Sequence, residues 1–562
     1  MRVALYICLT CFSVMAQEGL TPPPTRIALP SDTTLTTRQA LQKLEADSSQ
    51  IELPDVVVKG QNTSQRQVDQ KRTSRSEQPK LIQPGEAYEA VSAWLRRSNE
   101  KMNAGDSPFK DQITWLVLQA GSYTSLQARG GHWRRWRQGQ IHGHGWFDQS
   151  HGQYNNSGFR QGGLTGKIEY RLSELAKGQM QFQYDRYQRG LHGAFLHDGK
   201  RNGGQGGVDL ELSVEPRPLT NLRMNMEIKG LSVNSDTSGH RLEESDDFYY
   251  YLAVGAQQVW SKWQLALQGR YLRESYDTTR DSTALVASFR EVNLNAIYPF
   301  SANVQLSAGL ALQGFGADST EQINSLSPFA QVRFSPNDRF AVALQGRRGM
   351  LYQTYMQRRI ENPYLSHGFL MEPEESRFTL RLESEIAIAK TSHLDFLVAK
   401  SWMDRLLFWQ QEQTTGLFEQ GRGSGSLAEI RTSFHTQPTA KTQIRLSLAG
   451  YTDQLDESNL PTNQQRVPYR PNVKMALQGR YFPAADWTLT GEVNYWSDRA
   501  SRVDSDQRLP DFALIEVSVQ KKLGRFIIAW LTVQNVVDSR YVLWENYTEP
   551  GFMIHSGIRA QF

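Results

Sequence analysis

Residues 262–272 read Lys262-Trp263-Gln264-Leu265-Ala266-Leu267-Gln268-Gly269-Arg270-Tyr271-Leu272. In an extended chain Trp263, Leu265, Leu267, Gly269 and Tyr271 fall on one side, and Lys262, Gln264, Gln268 and Arg270 on the other. A period of two is the mark of a strand with one apolar and one wet face. The same division recurs downstream. Residues 339–347 set Phe340, Val342 and Leu344 against Arg339, Gln345 and Arg347, and residues 487–495 set Trp487, Leu489, Val493 and Tyr495 against Thr488, Thr490, Glu492 and Asn494.

The connections between such stretches alternate in length. Ten tight turns are expected near 133–138, 171–177, 215–220, 260–262, 298–302, 335–339, 389–393, 436–440, 482–486 and 521–525, typified by Ser335-Pro336-Asn337-Asp338. Longer polar stretches lie between them at 189–207, 350–376, 411–427, 451–467 and 538–550. Short turns on one side and long loops on the other describe a membrane barrel, in which an even barrel has one fewer inner turn than half its strands. Ten turns give 22 strands, and residues 112–562 supply about 20 residues for each strand with its connection, enough for the ~10 that cross a bilayer at a tilt. The expected fold is all-β, a transmembrane antiparallel up-and-down barrel of about 22 strands behind a short, largely irregular N-terminal segment.

Composition narrows the alternatives. The 562 residues are 39% hydrophobic and 21% charged, with 13 Trp, 22 Tyr and 24 Phe, too much aromatic surface for a chain without a core. No apolar run past the first twenty residues reaches the roughly 20 that a membrane helix needs. The formal charge is only +4, with Lys and Arg scattered, so no basic stripe suits nucleic acid. Residues 1–16 read as a cleavable signal peptide, with Arg2, an apolar stretch and Val14-Met15-Ala16 before Gln17. Both cysteines, Cys8 and Cys11, leave with it, so the mature chain has neither disulfide nor thiol chemistry.

Residues 17–111 differ in composition from the strand-rich remainder. A Pro/Thr/Ser opening, a β-prone run at Asp55-Val56-Val57-Val58-Lys59-Gly60, a polar stretch over 61–80 and a helix candidate over 86–102 carrying Ala90, Val91, Trp94 and Leu95 make this an N-terminal periplasmic linker segment with short helices. At the other end Phe552, Ile554, Ser556, Ile558, Ala560 and terminal Phe562 share one face, with His555, Arg559 and Gln561 opposite. A last strand ending on Phe resembles the insertion signal that the barrel-assembly machinery reads in bacterial outer-membrane barrels. The expected location is the outer membrane of a Gram-negative cell, in contact with its lipid.

Further motifs resemble the TonB-dependent receptor family over about residues 112–562. Asn362-Pro363-Tyr364-Leu365, followed by Leu370, Pro373-Glu374 and Ser376, is similar to that family's Asn-Pro-x-Leu loop and Leu-x-Pro-Glu-x-Ser element. Tyr469-Arg470-Pro471-Asn472, Asn535-Val536-Val537-Asp538-x-x-Tyr541 and Pro550-Gly551 fit the same order. The resemblance implies a transport barrel that takes up a solute across the outer membrane, not an enzyme. It also implies a TonB-box-like strand at Asp55, Val56, Val57 and Val58 that pairs with the TonB energising complex; a β-prone patch of linker is the plainer reading. The family's folded plug domain, with its Arg-Gly and Asp-Gly elements, is not found in the first 111 residues, so the plug is missing or reduced. A lumen of this size then needs another obstruction: the N-terminal segment, outer loops folded inward, or a separate plug-like protein. The alternative from another class is a non-transporting anchor or scaffold barrel that holds a partner protein.

Two constellations have the chemistry for a site. His142 and His144 alternate on the lumen face with Trp146 and Asp148, and two imidazoles at i and i+2 can reach a metal, although metal sites usually gather three or four ligands and polar lumen lining explains them as well. No cofactor is implied. The recurring run Ala-Leu-Gln-Gly-Arg places Gln268 and Arg270, Gln345 and Arg347, and Gln478 and Arg480 on the lumen wall, joined by Arg377, Arg381, Arg445 and Arg559. A positive wall would favour an anionic solute. Pairing with Glu383, Glu385 and Glu492 would neutralise it.

Overall fold

The computed structural model describes residues 112–562 except 194–198, 218–219, 238–239, 279–280, 319, 367–369, 457–464 and 504–506. The expected signal peptide, the Asp55–Val58 run and the Trp94 helix lie outside the described residues.

Alternation builds 22 wall strands. The first eleven are β1 Gln112–Gly121, β2 Ser125–Trp136, β3 Gly139–Ser150, β4 Phe159–Arg171, β5 Ala176–Gly190, β6 Lys200–Arg217, β7 Thr220–Thr237, β8 His240–Trp260, β9 Trp263–Thr278, β10 Asp281–Pro299 and β11 Val304–Ala317. The wall continues through β12 Thr320–Asn337, β13 Phe340–Leu351, β14 Glu374–Ala389, β15 Ser392–Gln411, β16 Phe418–Thr439, β17 Thr442–Leu455, β18 Val473–Tyr481 and β19 Trp487–Trp496. The last wall strands are β22 Phe512–Lys522, β23 Ile527–Gln534 and β26 Met553–Gln561; two short ribbons sit in outer loops, β20 Arg499–Ala500 with β21 Arg508–Leu509 between β19 and β22, and β24 Val542–Trp544 with β25 Tyr547–Thr548 between β23 and β26. Every wall pairing is antiparallel between sequence neighbours, and β26 pairs with β1 to close the sheet. Closure removes the edges that would otherwise template aggregation. Phe562 takes part directly: its N–H donates to the Thr114 carbonyl at 2.9 Å, and the Thr114 N–H donates to the Phe562 carbonyl at 2.7 Å.

All ten inner turns are present. They are the short links from β2 to β3, β4 to β5, β6 to β7, β8 to β9, β10 to β11, β12 to β13, β14 to β15, β16 to β17, β18 to β19 and β22 to β23. The turn chemistry is local: Ser261 adopts φ 55° in the two-residue link from β8 to β9, and the Asn337 side chain accepts from the Arg339 N–H at 2.9 Å. The outer connections differ from expectation. The links from β1 to β2, β7 to β8, β9 to β10 and β11 to β12 span only two or three residues, because strands such as β8 and β10 run past the apolar belt before ending. Gly203-Gly204-Gln205-Gly206-Gly207, expected in a long loop, is part of β6 and pairs regularly with β5 and β7. Glycine and glutamine mimic a loop in composition, but a two-sided ladder supplies the backbone partners that decide the matter.

Outward faces form an apolar belt. Trp263, Leu265, Leu267, Val292, Leu294, Leu310 and Leu312 are all exposed large hydrophobics. Trp263 stacks on Tyr298 at 4.6 Å at the periplasmic rim, and Tyr250 meets Tyr271 at 5.8 Å at the outer rim. From Trp263 to Tyr271 the strand advances about 26 Å, or roughly 20 Å along the membrane normal at a tilt of ~40°. Girdled apolar belts of this kind mark outer-membrane barrels, and the protein is an outer-membrane barrel.

The hydrophobic core sits at the outer mouth, where long loops turn inward. A short helix, α1 Tyr355–Glu361, begins in a capping box: the Gln357 N–H donates to Thr354 Oγ1 at 3.2 Å, and the Thr354 N–H donates to Gln357 Oε1 at 3.0 Å. Pro363 follows the Asn362 C-cap and prevents continuation. Tyr355, Met356, Tyr364 and Leu365 from this loop pack with Phe418, Tyr469, Leu543, Trp544 and Tyr547 from the others, all buried.

Candidate functional site

The inward loops make a packed layer across the outer mouth. Tyr364 stacks on Tyr547 with centroids 3.6 Å apart, and Phe418 meets Trp544 edge-on at 4.9 Å. Buried arginines tie the layer together and to the wall. Arg201 on β6 donates from Nη1 to the Pro363 carbonyl at 2.9 Å and from Nε to Ser235 Oγ at 2.8 Å, while Arg499 on β20 joins the two loop ribbons by donating to the Val542 carbonyl at 2.7 Å. Gln411 Nε2 donates to the Glu545 carbonyl at 3.0 Å, and Asn546 Nδ2 donates to Gln411 Oε1 at 2.9 Å. Of the three obstructions expected from sequence, inward loops are the one seen among the described residues.

Carboxylates anchor the same layer. Glu274 stands on β9 three places beyond Tyr271, past the apolar belt and facing inward under the loops. Its carboxylate accepts from the Tyr355 N–H at 2.6 Å and from the Tyr352 hydroxyl. Burial holds Glu274 at about 7, and burial together with the neighbouring Glu274 charge pushes Asp247 well above the ordinary carboxylate range. Burial likewise raises Glu549, in the loop after β23, to about 7 against the pull of Arg189.

Tyr364 and Leu543 of the layer help to line a pocket of about 130 Å³, together with Tyr123, Gly152 and Glu549 of the outer connections and Gln127, Asp148 and Gln161 of the wall. Its lining is mostly apolar, with a few carboxamides and acids interspersed, the make-up of small-molecule pockets.

The three Gln/Arg pairs lie on β9, β13 and β18, four and five wall strands apart, so they do not meet in one site. Arg270 donates from Nε to Glu291 Oε1 at 3.1 Å, and Gln313 Nε2 donates to Glu291 Oε2 at 2.8 Å. Gln268 is exposed, Gln345 is buried, and Arg347 and Arg480 are half-buried. Gln478 Nε2 donates to Glu492 Oε2 at 3.2 Å, Arg381 pairs with Glu383, and Arg333 reaches Glu385 at 3.3 Å. Glu291, on a strand that the repeat does not touch, could have been found only from the register. Arg377 departs from the expected inner wall: bulges at Glu375/Ser376 and Ser376/Phe378 interrupt the alternation, and its largely exposed guanidinium pairs with Asp404 at 2.8 Å.

His142 and His144 are neighbours, with ring centroids 5.2 Å apart. Lys167 stands directly opposite His142 in the ladder, and among the described residues no group of three His, Cys, Asp or Glu is placed to hold a metal ion. Phe562 continues the exposed row of Ile554 and Ile558.

No protein-family model matches the chain, and no curated protein does. Solved structures match its fold. The FrpB iron transporter from Neisseria meningitidis superposes with a TM-score of 0.67 at 10% identity, over 82% of this chain and 83% of that one. The ferric-catecholate import receptor Fiu from E. coli K12 gives 0.64 at 10% identity, over 81% and 82%. The siderophore receptor PiuA from Acinetobacter baumannii gives 0.64 at 10% identity, over 81% and 82%. The fold is therefore that of a TonB-dependent-receptor-like outer-membrane barrel.

Proposed function

We propose that the protein takes up a solute across the outer membrane, entering from an outer mouth that its own loops close at rest. The observation that carries this reading is the aromatic layer of inward loops across the outer mouth, with a pocket bordered by Tyr364 of that layer and by Gln127, Asp148 and Gln161 of the wall. The structural neighbours, described as an iron transporter, an import receptor and a siderophore receptor, support transport over catalysis. In this reading Asp55, Val56, Val57 and Val58 add a strand to the TonB energising complex, the polar wall of Gln268, Arg270, Gln345, Arg347, Gln478 and Arg480 guides the solute, and Phe562 directs insertion by the assembly machinery.

Cells test it. Replacing residues 353–372 with a short Gly-Ser link, at equal surface abundance, should raise sensitivity to a large glycopeptide antibiotic at least fourfold. Unchanged sensitivity, with the barrel folded, favours the anchor reading.

A further inference from the structure

Four arginines on the outer surface sit at the rim of the apolar belt with no carboxylate among the described residues to meet them. Arg160 on β4 and Arg186 on β5 share the outward face with Leu164, Phe182 and Tyr184, and the unbroken register pairs Arg186 with Gly162 and Arg160 with Gln188. The two are therefore diagonal neighbours, about 7 Å apart at Cα. Arg273 on β9 and Arg290 on β10 repeat the geometry: Arg290 pairs with Tyr271 and Arg273 with Ser288, on the face of Leu267, Val292 and Leu294. All four side chains are exposed.

Each pair rests on an aromatic rim and beside glycine. Tyr184 lies two places inward of Arg186, and Tyr271 two places inward of Arg273. Arg160 lies over the Phe147 ring at 5.4 Å. Arg186 is flanked by Gly162 and Gly204, and Arg290 lies across Gly314, where a Cβ would stand 3.1 Å from its Nε.

The other sector of the rim behaves differently. Arg348 reaches Glu375 at 3.1 Å, Arg377 reaches Asp404 at 2.8 Å, and Arg422 reaches Glu372 at 3.0 Å. Among the described residues, the rim arginines of β13, β14 and β16 are thus neutralised by the chain, and those of β4, β5, β9 and β10 are not.

We infer that the two arginine pairs, Arg160 with Arg186 and Arg273 with Arg290, are binding sites for the phosphates of a phosphorylated glycolipid in the outer leaflet. Guanidinium forks match phosphate oxygens bidentately. At this depth the acyl chains lie on the belt below while the phosphate meets the arginines above, so one molecule satisfies both surfaces. The inference rests on the barrel lying in the outer membrane and not on the transport reading.

Native mass spectrometry of the full chain, titrated in detergent with diphosphorylated lipid A, tests it. The wild-type protein should retain the lipid, and dephosphorylated lipid A should be retained about tenfold less. Arg160→Gln with Arg186→Gln, and Arg273→Gln with Arg290→Gln, should each lower retention about tenfold. Arg348→Gln should leave it unchanged, and inorganic phosphate at equal concentration should not displace the lipid. Equal retention of the dephosphorylated lipid, wild-type retention by both pair variants, an equal loss in Arg348→Gln, or displacement by inorganic phosphate would each overturn the inference. The comparison of the two lipids on wild-type protein decides even where a variant fails to fold.

Discussion

The Tyr355 N–H donates to Glu274 Oε1 at 2.6 Å, joining the first turn of the inward helix to a barrel strand 81 positions earlier in the chain. Tyr352 donates its hydroxyl to the other oxygen of the same carboxylate. One buried acid thereby fixes the start of the longest outer loop. Glu274→Ala should leave two buried donors unsatisfied, at about 1–3 kcal/mol each. Hydrogen exchange over residues 352–366 should accelerate at least tenfold, with the wall strands unaffected. Unchanged protection of the loop would show that the aromatic contacts alone hold it.

The same carboxyl makes loop docking depend on pH. Docked, Glu274 is held at about 7, above the 4.5 of an ordinary glutamate, and Asp247 is raised as well. The docked state therefore binds protons more tightly than the undocked one. Docking is strongest below about 4.5 and weakens as pH rises through about 7. Exchange protection, corrected for intrinsic rates, should be lower at about pH 8 than at about pH 5, on either side of the docked value, and Glu274→Gln should flatten the trend. Protection that increases with pH contradicts the assignment.

Trp544 is wholly buried between Phe418, Tyr469 and Trp409. Trp544→Ala should cost about 3–5 kcal/mol in docking of the outer layer. The barrel ladders do not depend on that contact, so the variant should keep the faster migration of unboiled protein on a gel while its loops become cleavable by trypsin. Loss of heat-modifiable migration would mean that the layer and the wall fold as one unit.

Phe562 closes the ladder against Thr114 and completes an apolar outward row. Phe562→Asp should reduce outer-membrane insertion severalfold, and a matched change at Gln561 much less. A charge near the membrane interface costs only ~0–1 kcal/mol, so recognition during insertion must carry most of the effect. Equal surface yields for the two variants would remove that role from Phe562.

The wall was legible because each strand reports itself locally. Trp263, Leu265 and Leu267 alternate with Gln264, Ala266 and Gln268 whatever the rest of the chain does, and Ser335-Pro336-Asn337-Asp338 announces its turn. The outer ends of the strands were not legible, since Gly203–Gly207 carries no apolar face and shows its strand only through the pairing of Gly206 with Tyr184 and Gly204 with Arg186. The outer layer was half visible: Tyr364, Phe418, Tyr469, Trp544 and Tyr547 are large aromatics in stretches otherwise polar, a sign of buried loops. The anchoring acids were hidden. Glu274 and Glu291 resemble any lumen residue until the register brings Tyr352, Tyr355 and Arg270 against them.

Single-channel conductance in planar bilayers tests the central claim most directly. The intact protein should be silent or nearly so, and the variant lacking residues 353–372 and 17–105 should show large, stable openings, because the described wall encloses a polar lumen whose outer mouth is shut by its loops. A variant that folds into a heat-modifiable barrel yet stays silent contradicts the account and leaves the anchor as the better description.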